Sequence, residues 1–520
     1  MSGRPRRRLC TSGSASTSHE YTFIIMMTNK CRGGQLGRRT LPAAAVAAAG
    51  LGLAAGCSVR EPTAGPGRRR LALDDGTSQV PAAAAGTVTK VVVIGAGIAG
   101  LVAAQALHQA GVAVTVLEAR DRVGGRLHTV DLDGVPVDLG AAWVHNGDGS
   151  PLLPVLSHLA TPLLPAGITQ LVGTAEVLNR ATGRFPDPAL SDEIADLMNR
   201  LADGLPRLAR RQGNRISLQE VIDGLADGGP RQAAVTVEAL LSLYDGADTN
   251  HLGLANFAGF LSQGAEEHDK LPQGGYGSLI QSLATGLDLQ THTPVQQIHQ
   301  HAGGVTIVHG RGELQASHVL LTVPLGVLKS STIAFEPALP AAKATAISRM
   351  GFGSFEKVAL SYPRPLWPDG KPHHIIVADP GRAWPLILDM SAWYQRPVMV
   401  ALSPGSPAAN VAGLPEQDRI AQVRSIIDQA VGGKAPEPKA AVATSWAIDP
   451  YIRGCYSSIA RDSTSKEFTA DLTALQAPHG RVLFAGEATH TNFAVVDGAW
   501  LSGLREAKRL LQQPRLTLSL

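Results

Sequence analysis

Cysteine is scarce in this chain of 520 residues, which contains four. Cys10, Cys31 and Cys57 lie in the first 57 residues, so the rest of the chain holds only Cys455. A single cysteine cannot form an internal disulfide, and the sequence therefore excludes a disulfide framework for the body of the protein. The length of the chain predicts two domains rather than one compact core.

An excess of basic charge is also missing from most of the chain. Residues 1–87 carry 12 Lys and Arg against 4 Asp and Glu, whereas the remaining residues carry 34 against 39. The formal net charge of +3 therefore belongs to the leading segment, and the remaining residues have a net charge of −5. We expect no nucleic-acid-binding surface on the folded body.

Long apolar runs are absent as well. The apolar stretch at residues 41–56 is too short to span a bilayer as a stable helix, and the stretch after residue 500 is short and ends in a polar tail. We therefore expect no membrane-spanning helix near residue 500. No internal repeat is visible in the sequence.

The leading segment has the organisation of an export signal. The paired arginines Arg38 and Arg39 precede the apolar stretch, which ends in small residues at 54–57. We expect residues 1–57 to direct export to the bacterial cell envelope, and the arginine pair favours the twin-arginine route for folded cargo. Met26 or Met27 is an alternative start, which would leave residues 1–25 as an extension.

Two outcomes at Cys57 remain open. Lipidation of this cysteine would tether the protein to the outer face of the membrane, whereas cleavage in the same region would release it. Residues 58–87 are rich in Pro, Gly, Ala and Arg, and this composition is typical of a disordered linker.

A glycine-rich turn follows the β-branched run at residues 91–94, which is typical of a buried parallel strand. Gly95 permits a tight turn, Gly97 lets a pyrophosphate approach the backbone, and Gly100 lets the next helix pack on the strand. The N-terminus of that helix offers N–H groups to phosphate. Glu118 ends the following strand, where its carboxylate would bind ribose hydroxyls. This order predicts a Rossmann-like dinucleotide site.

A second glycine pair identifies the dinucleotide more closely. The sequence RVGGR at 122–126 follows the ribose acid, and a plain nicotinamide site does not need it, whereas the more extended FAD can be held twice. Near the C-terminus, RVLFAGEAT at 481–489 predicts a short strand that runs into a Gly-Glu pair. GAWLSGLREA at 498–507 predicts a helix whose N-terminus can face a flavin. We therefore expect FAD and no metal.

Together these motifs resemble the flavin amine oxidases, which comprise polyamine oxidases, monoamine oxidases and flavin-dependent lysine demethylases. The resemblance spans about residues 88–512 and is nearest to the polyamine oxidases. Its further motifs are LEAR (117–120), DLGAAWVH (138–145), LPQGGYGSLIQSLA (271–284), TPV (293–295), VLLTVPLGVL (319–328), FEKVAL (355–360) and DPYIRGCYSS (449–458).

The resemblance implies an α/β fold with mixed α+β character. A Rossmann-like FAD-binding domain, discontinuous in sequence, would contain residues 88–160, 270–330 and 440–515. An inserted substrate-binding domain of mixed sheet plus helices would contain residues 161–269 and 331–439.

The same resemblance assigns the cofactor contacts. Glu118 would hold the adenosine ribose, Arg126 the phosphates and Glu487 the ribityl-phosphate side, while Val295 would meet adenine through its backbone. Residues 140–143 would pass along the flavin ring. The expected FAD-binding residues are Gly95, Gly97, Ile98, Ala99, Gly100, Glu118, Ala119, Arg120, Gly124, Gly125, Arg126, Gly140, Ala141, Ala142, Trp143, Val295, Trp446, Cys455, Gly486, Glu487 and Val496.

Three residues are expected to carry the chemistry by resemblance. Lys357 lies on the strand where the family places the lysine that reaches flavin N5 through a water. Tyr456 matches one aromatic wall beside the substrate amine, whereas Val495 stands near the position of the opposite wall. His145 resembles the histidine that faces the substrate nitrogen in polyamine oxidases.

Several neighbouring residues leave alternatives open. Cys455 is either a covalent link to the flavin 8α carbon, as in monoamine oxidases, or a small buried thiol. Glu266, Glu267 and Asp269 form an acidic cluster that either receives a distal ammonium or is solvated. Asp497 stands where polyamine oxidases and demethylases often have His, which would alter substrate or flavin contacts.

The inserted region has readable helix signals. Residues 190–263 have a helical pattern, with Ser191 as a predicted N-cap and Ser217 and Glu220 as a predicted capping box. Polar and apolar residues alternate at 356–362 as in a half-buried strand.

The resemblance implies an FAD-dependent amine oxidase that oxidises the C–N bond of polyamines or related amines. The imine would be hydrolysed to aldehyde plus amine, and O2 would be reduced to H2O2. The expected partners are a small-molecule amine and O2, and the oligomeric state stays open. Alternatives are a monoamine oxidase, an L-amino-acid oxidase, for which AAWVHNGDGS offers no carboxylate-binding arginine, or a surface-tethered flavin-binding protein that is not an enzyme.

Overall fold

The computed structural model describes residues 70–73, 84–145, 149–226, 231–261 and 269–520. The predicted export signal at 1–57 and the acids Glu266 and Glu267 lie outside the described residues. Within the described ranges, no helix is both long enough and apolar enough to cross a membrane.

Strands and helices are mixed along the chain. The strands are β1 (Arg70–Leu73), β2 (Lys90–Ile94), β3 (Ala113–Leu117), β4 (Thr129–Asp131), β5 (Pro136–Asp138), β6 (Leu163–Pro165), β7 (Glu176–Asn179), β8 (Lys270–Pro272), β9 (Asp288–Gln290), β10 (Val295–His301), β11 (Gly304–His309), β12 (Gly312–Ala316), β13 (His318–Leu321), β14 (Ala334–Glu336), β15 (Gly351–Phe352), β16 (Phe355–Ser361), β17 (Ile375–Ala378), β18 (Leu386–Asp389), β19 (Val398–Pro404), β20 (Ala440–Ala443), β21 (Ser457–Ser458), β22 (Val482–Phe484) and β23 (Leu516–Ser519).

The helices have a wide range of lengths. They are α1 (Ile98–Gln109), α2 (Leu153–His158), α3 (Ile168–Gly173), α4 (Pro188–Gln212), α5 (Leu218–Leu225), α6 (Arg231–Asp245), α7 (Leu254–Leu261), α8 (Gly277–Ala284), α9 (Leu325–Lys329), α10 (Ala341–Arg349), α11 (Ser391–Tyr394), α12 (Gly405–Ala412), α13 (Glu416–Ala430), α14 (Ser465–Gln476) and α15 (Val496–Leu511).

A five-stranded parallel sheet has the order β22, β13, β2, β3 and β9. In its register, Ile94 pairs with Leu117 on one side and Leu321 on the other, and Leu321 pairs with Phe484. The carboxyl ends of four strands therefore meet at one edge, although these strands lie far apart in sequence. Such an edge is where open α/β sheets bind ligands.

Apolar layers cover both faces of the parallel sheet. Val91 and Val93 point into the core shared with α1 and α15, while Val92 and Ile94 face the core under the four-stranded sheet β12, β11, β10 and β14. This double burial explains the continuous apolar run in β2. We call the parallel sheet and these covering layers the cofactor region.

The helices α1 and α15 pack at close range. A Cβ at Gly503 would lie 2.3 Å from the carbonyl oxygen of Ala99 and 2.6 Å from Val102 Cγ1, so only glycine permits this approach. This contact holds α15 against α1, the helix that follows the glycine turn.

The second large unit, the substrate region, is a six-stranded sheet in the order β20, β16, β19, β18, β17 and β7 with the helices that cover it. Ala359 faces the core that contains α4–α7, whereas Val358 and Leu360 face the core that contains α13. The prediction of a half-buried strand at 356–362 was therefore wrong, because both faces of β16 are covered and its residues from Glu356 onward are buried.

The helix signals of the inserted region had different outcomes. The capping box at Ser217 is confirmed: its Oγ accepts from Glu220 N–H at 3.2 Å, and the Glu220 carboxylate accepts from Ser217 N–H at 2.7 Å. Ser191 as an N-cap was wrong, since α4 begins one turn earlier. Asp187 caps it there by accepting from Leu190 N–H, and Pro188 occupies the first position.

The predicted disordered linker at 58–87 contains a strand. β1 pairs antiparallel with β23, with Arg70 opposite Ser519 and Leu73 opposite Leu516. Further along, the Ala85 carbonyl oxygen accepts from Arg481 at 3.2 Å. The prediction was therefore wrong at residues 70–73, because backbone pairing with the C-terminal strand orders them.

Candidate functional site

The glycine turn after β2 has the shape of a phosphate cradle. Gly95 has φ +105°, and a Cβ at Gly100 would lie 2.1 Å from the Gly95 carbonyl oxygen, so both positions require glycine. A Cβ at Gly97 would meet nothing within 4 Å. The backbone at Gly97 thus faces open space at the start of α1, whose N-terminus has no side-chain cap. These uncapped N–H groups are a site for an anion.

The RVGGR loop lies directly beside this turn. The Gly124 N–H donates to the Ala96 carbonyl oxygen at 2.8 Å, and Gly97 and Gly124 form an isolated β-bridge. A Cβ at Gly125 would lie 3.4 Å from Gly97 Cα. Gly97 and Gly124, which lie 27 positions apart in the sequence, therefore line one site.

Glu118 connects the end of β3 to the glycine turn through hydrogen bonds. Its buried carboxylate accepts from Ala96 N–H at 2.8 Å and from Arg120 N–H at 2.9 Å. The Thr293 N–H donates to the Glu118 carbonyl oxygen at 2.8 Å, which brings the start of β10 at Val295 alongside. A carboxylate has about four lone-pair sites, so both oxygens retain acceptor capacity for ribose hydroxyls.

Arg126 joins the two distant halves of the site. Its guanidinium donates to Glu487 Oε1 at 2.8 Å and to the Cys455 carbonyl oxygen at 2.7 Å. Glu487 is buried and also accepts from Ser457 Oγ and from Ala494 N–H, the latter at 3.0 Å. The helix that follows, α15, begins at Val496 without a side-chain cap.

The loop at 138–143 runs between the two regions. A Cβ at Gly140 would lie 1.7 Å from the Arg126 carbonyl oxygen, so this segment follows the RVGGR loop at backbone contact. Ala142 is buried and Ala141 is exposed. The Trp143 indole donates to the Ala166 carbonyl oxygen at 2.8 Å, which fixes the ring at the edge of the substrate region.

Lys357 extends from β16 onto this loop. Its ammonium donates to the carbonyl oxygens of Gly140 at 2.6 Å and Asp138 at 3.2 Å, and lies 5.7 Å from the centre of the Trp143 ring. Burial lowers the pKa of Lys357 to about 8, against the opposing effect of Asp138. The predicted lysine is therefore buried, held by backbone oxygens and poised to lose a proton near physiological pH.

Trp446 links the loop to a cluster of cations. Its indole donates to the Leu139 carbonyl oxygen at 3.2 Å, and the guanidinium groups of Arg120 and Arg122 lie 5.7 and 5.9 Å from its ring. Arg120 also pairs with Asp449. Burial, followed by repulsion from Arg120, lowers the pKa of Arg122 to about 10. The sequence had indicated no role for Asp449.

Tyr456 and Cys455 lie against the end of α6. The Tyr456 hydroxyl donates to the Leu243 carbonyl oxygen at 3.1 Å, and its ring lies 6.3 Å from that of Phe355 at 39°. A Cβ at Gly246 would lie 2.7 Å from Cys455 Sγ and 3.3 Å from Tyr456 Cζ. Burial raises the pKa of the Cys455 thiol, which disfavours the nucleophilic thiolate.

Asp245 is a residue that the sequence did not single out. It is the last residue of α6, beside Gly246, and burial raises its pKa to about 6. Its charge also raises the pKa of Tyr456, after the larger effects of burial and of Cys455. No sequence motif marks Asp245, because its burial depends on the packing of segments that are distant in sequence.

His145 and Asp269 meet at the edge of the site. His145 Nδ1 lies 2.8 Å from Asp269 Oδ2, and Asp269 is buried rather than solvated. Asp497 is likewise buried, with Ser150 Oγ donating to it at 2.9 Å. Among the described side chains, no group of three or more His, Cys, Asp or Glu is arranged to hold a metal.

The residues present fit FAD. α1 follows β2 and α15 follows β22, and neither helix has a side-chain cap at its start. A Cβ at Gly97 would project into open space, and the buried carboxylate of Glu118 lies beside the glycine turn. Glycines, helix N-termini and a ribose carboxylate together are the donor and acceptor set of a dinucleotide.

Comparison with known proteins agrees with this geometry. Residues 98–511 match the family described as flavin containing amine oxidoreductase. The chain belongs to this family. Residues 39–132 also match the family of pyridine nucleotide-disulphide oxidoreductases. These matches support FAD as the cofactor of this flavin containing amine oxidoreductase.

Individual relatives fall into two groups. FLOWERING LOCUS D of Arabidopsis thaliana is 31% identical over 82% of this chain, and lysine-specific histone demethylase 2 of Homo sapiens is 30% identical over 81%. Polyamine oxidase 4 of Oryza sativa subsp. japonica is 30% identical over 81% of this chain. The amine oxidoreductase spans 56% and 53% of the first two relatives but 89% of the third.

Proposed function

We propose that this protein is an FAD-dependent amine oxidase that acts on polyamines or related amines. The observation that carries the proposal is Lys357, whose ammonium is buried against the Gly140 carbonyl oxygen. By resemblance to the family, residues 140–143 would pass along the flavin ring, and this lysine would then stand beside the cofactor. A buried cation with a lowered pKa and no structural ion pair among the described residues is typical of a functional site.

The similarity to polyamine oxidase 4 supports a polyamine as the substrate, since the match covers 89% of that protein at 30% identity. Lysine-specific histone demethylase 2 is also 30% identical to this chain, and the match covers 53% of it. On the first of these similarities we propose a small amine as the substrate.

In the proposed reaction, residues of this chain would bind the amine and hold a water beside it. Bound FAD would accept a hydride from the carbon beside the amine nitrogen and pass electrons to O2. The ring of Tyr456 would orient the amine, since a π face tolerates positive charge. His145 would contact the nitrogen, and the third N–H of Lys357 would hold a water, because two are engaged by carbonyl oxygens.

Anaerobic bleaching of the purified yellow protein tests the proposal. Spermine, spermidine, acetylated polyamines, phenethylamine and L-amino acids would be mixed with it in the absence of O2. We expect polyamines to remove the yellow flavin absorbance, with phenethylamine and amino acids slower by about 100-fold or more. If no amine bleaches the flavin, the protein is a flavin-binding protein and not an amine oxidase.

We further propose that the flavin is held without a covalent bond. The buried Cys455 thiol packs against Gly246 and has a raised pKa, and both features work against thioether formation. Acid precipitation of the protein should leave a yellow supernatant and a colourless pellet. A yellow pellet that turns colourless in Cys455→Ser would contradict this proposal.

Export by the twin-arginine route is a proposal that rests on the leading sequence alone. The pair Arg38 and Arg39 precedes the apolar stretch and Cys57. Replacing both arginines by lysine should retain the flavin-loaded protein in the cytoplasm, and Cys57→Ser should release exported protein if this cysteine is lipidated. Export that persists in the double lysine variant would contradict the route.

A further inference from the structure

Three consecutive carbonyl oxygens beside the candidate site are held by two different side chains. The Lys357 ammonium donates to the oxygens of Asp138 and Gly140 at 3.2 and 2.6 Å. The Leu139 oxygen, which lies between them in sequence, accepts from the Trp446 indole at 3.2 Å. The position of this backbone segment therefore depends on both donors.

Both donors depend on two adjacent residues at the start of β16. Glu356 and Lys357 are neighbours on this strand, so their side chains point to opposite faces of the sheet. Lys357 reaches the 138–140 segment directly. Glu356 is 0% exposed and lies on the same face as Val358, which packs in the core that contains α13.

Glu356 binds the segment of chain that carries Trp446. Its carboxylate accepts from the Thr444 hydroxyl and from the Ala447 N–H, the latter at 2.9 Å. Thr444 lies just after the edge strand β20, and its Oγ accepts from the Lys357 N–H at 2.8 Å. One buried carboxylate thus holds the chain on both sides of Trp446.

A buried arginine contacts the same segment. Arg419 of α13 donates to the Thr444 carbonyl oxygen at 2.6 Å. Burial raises the pKa of Glu356, and the hydrogen bond from Thr444 and the charge of Arg419 oppose that shift. The charge that acts on the pKa of Lys357 is that of Asp138. An influence of Glu356 on Lys357 would therefore come through position and not through charge.

We propose that Glu356 is a positioning residue, which acts through Trp446 to hold the 138–140 segment against the Lys357 ammonium. This inference rests on the proposed function, because Lys357 is assigned there to hold a water. An ammonium has three N–H groups, and the two carbonyl oxygens that engage two of them determine where the third points. A shift of these oxygens by about 1 Å would misdirect the third N–H, and such a displacement can cost about 100-fold in rate.

Glu356→Gln removes the carboxylate with little change in shape. An amide has one oxygen, so its NH2 group would face either the Thr444 hydroxyl or the Ala447 N–H. Thr444 Oγ already accepts from the Lys357 N–H, so one buried donor is left unpaired. The chain around Trp446 should therefore loosen in this variant.

Hydrogen exchange of the Trp446 indole tests the inference without substrate or turnover. NMR of the full-length holoprotein labelled with 15N-tryptophan measures the exchange, and Trp446→Phe identifies the signal. We expect the indole N–H to exchange faster in Glu356→Gln than in the wild-type protein, by about 10-fold or more. Exchange at the wild-type rate in Glu356→Gln would overturn the inference.

Glu416→Gln is the matched control. Glu416 is exposed and accepts from the Ala443 N–H at 2.9 Å, one residue before Thr444. Its replacement changes a second glutamate that binds the same stretch of chain from the surface. We expect exchange of the Trp446 indole to be unchanged in this variant.

The rate of reoxidation provides a second readout. The protein is reduced with dithionite, and stopped-flow mixing with O2 follows the return of the yellow colour. We expect Glu356→Gln to be slower than wild type by about 10-fold. Its loss of rate at alkaline pH should begin at a lower pH, because displaced carbonyl oxygens stabilise the Lys357 ammonium less.

A double variant shows whether Glu356 acts through Trp446. In the Trp446→Phe background the indole N–H is already missing, so Glu356→Gln should change the reoxidation rate by less than about 2-fold. Additive losses in the double variant would overturn the inference. Should Glu356→Gln not fold, Thr444→Val takes its place, since it removes the hydroxyl that joins the carboxylate to the Lys357 N–H, and the same outcomes apply.

The positioning role and the proposed function can fail separately, because neither readout uses an amine. Faster indole exchange and slower reoxidation in a protein that no amine bleaches would support the role of Glu356 and reject the amine oxidase. Bleaching by polyamines together with unchanged indole exchange in Glu356→Gln would support the amine oxidase and reject the role of Glu356.

Discussion

The cofactor region and the substrate region treat buried charge in different ways. In the cofactor region, Glu487 pairs with Arg126, and Glu506 pairs with both Arg505 and Arg509. In the substrate region, the Lys357 ammonium meets two carbonyl oxygens, and burial raises the pKa of Asp245. The carboxylates Glu487 and Glu506 are thus paired within the cofactor region, whereas Lys357 has no ion-pair partner among the described residues.

This difference suits two tasks, the binding of a cofactor and the transfer of protons. A paired buried charge is fixed in geometry and in protonation state, which suits the permanent grip on a cofactor. A buried charge without a counter-ion has a shifted pKa, which suits proton transfer with a transient ligand. Substitutions in the two regions should therefore have different effects.

The largest effect is expected at Gly97. A Cβ there meets no protein atom within 4 Å, so Gly97→Ala should fold normally yet obstruct the pyrophosphate. We expect the purified variant to be nearly colourless, with a thermal midpoint equal to that of wild-type apoprotein. Gly310→Ala, at another open position, should keep its flavin. A yellow Gly97→Ala protein would mean that the cradle holds no cofactor.

Lys357→Met should slow reoxidation by O2. Loss of the ammonium removes a positioned donor, which is worth about 100-fold in rate. Stopped-flow mixing of the reduced protein with O2 measures this rate. Lys343→Met is the matched control, because Lys343 is also buried and donates to Ala474 and Leu475 carbonyl oxygens, but in another core. Equal rates in wild-type and Lys357→Met would remove Lys357 from the proposed machinery.

Glu487→Gln should destabilise the cofactor region more than a surface pair would suggest. The Glu487 side chain is 5% exposed, whereas that of Glu437, paired with Arg424, is 66% exposed. Breaking the buried pair should lower the free energy of unfolding by about 3 kcal/mol, and Glu437→Gln by less than about 1 kcal/mol. Urea unfolding measures the loss of stability in both variants. Similar losses would show that the buried pair stabilises the protein no more than the exposed pair.

The reoxidation rate should also depend on pH. Because burial lowers the pKa of Lys357 to about 8, its ammonium is present below that pH and lost above it. A positive charge stabilises the negative charge that develops on O2, so the rate should fall about 10-fold between pH 7 and pH 10. Lys357→Arg stays charged over this range and should show a flat profile. A wild-type rate that rises with pH would reverse the assignment.

The smallest effect concerns a helix start in the substrate region. Ser217→Ala removes the capping box of α5 and should lower the free energy of unfolding by about 1 kcal/mol. Ser191→Ala lies inside α4, which Asp187 caps, and should be close to neutral. Urea titration of the two variants would reveal whether the capping hydrogen bonds or the sequence pattern determine stability.

The sequence predicted features that depend on neighbouring residues better than features that depend on distant segments. The glycine turn, Glu118 and the capping box at Ser217 depend on residues close together in sequence, and all have the expected geometry. The strand at 70–73 was missed because its partner lies at 516–519 and backbone pairing requires no side-chain pattern. The full burial of β16 was missed because α13 covers it from a later part of the chain.

The candidate site divides in the same way. Motifs located Lys357, Tyr456 and His145, but their partners are set by tertiary contacts. The sequence left open whether Asp269 receives a distal ammonium or is solvated, and only the bridge between Val144 and Lys270 places it against His145. Asp245 becomes significant through burial alone, which no local pattern encodes.

The order of strands in the parallel sheet has a consequence for biosynthesis. β2 and β3 leave the ribosome early, but β22 and the start of α15 are among the last segments to be made. Until then, Arg126 lacks Glu487, and one of the two uncapped helix starts does not exist. A nascent chain without β22 therefore lacks both the Arg126–Glu487 pair and the start of α15. We expect flavin to be bound only after these segments have been made.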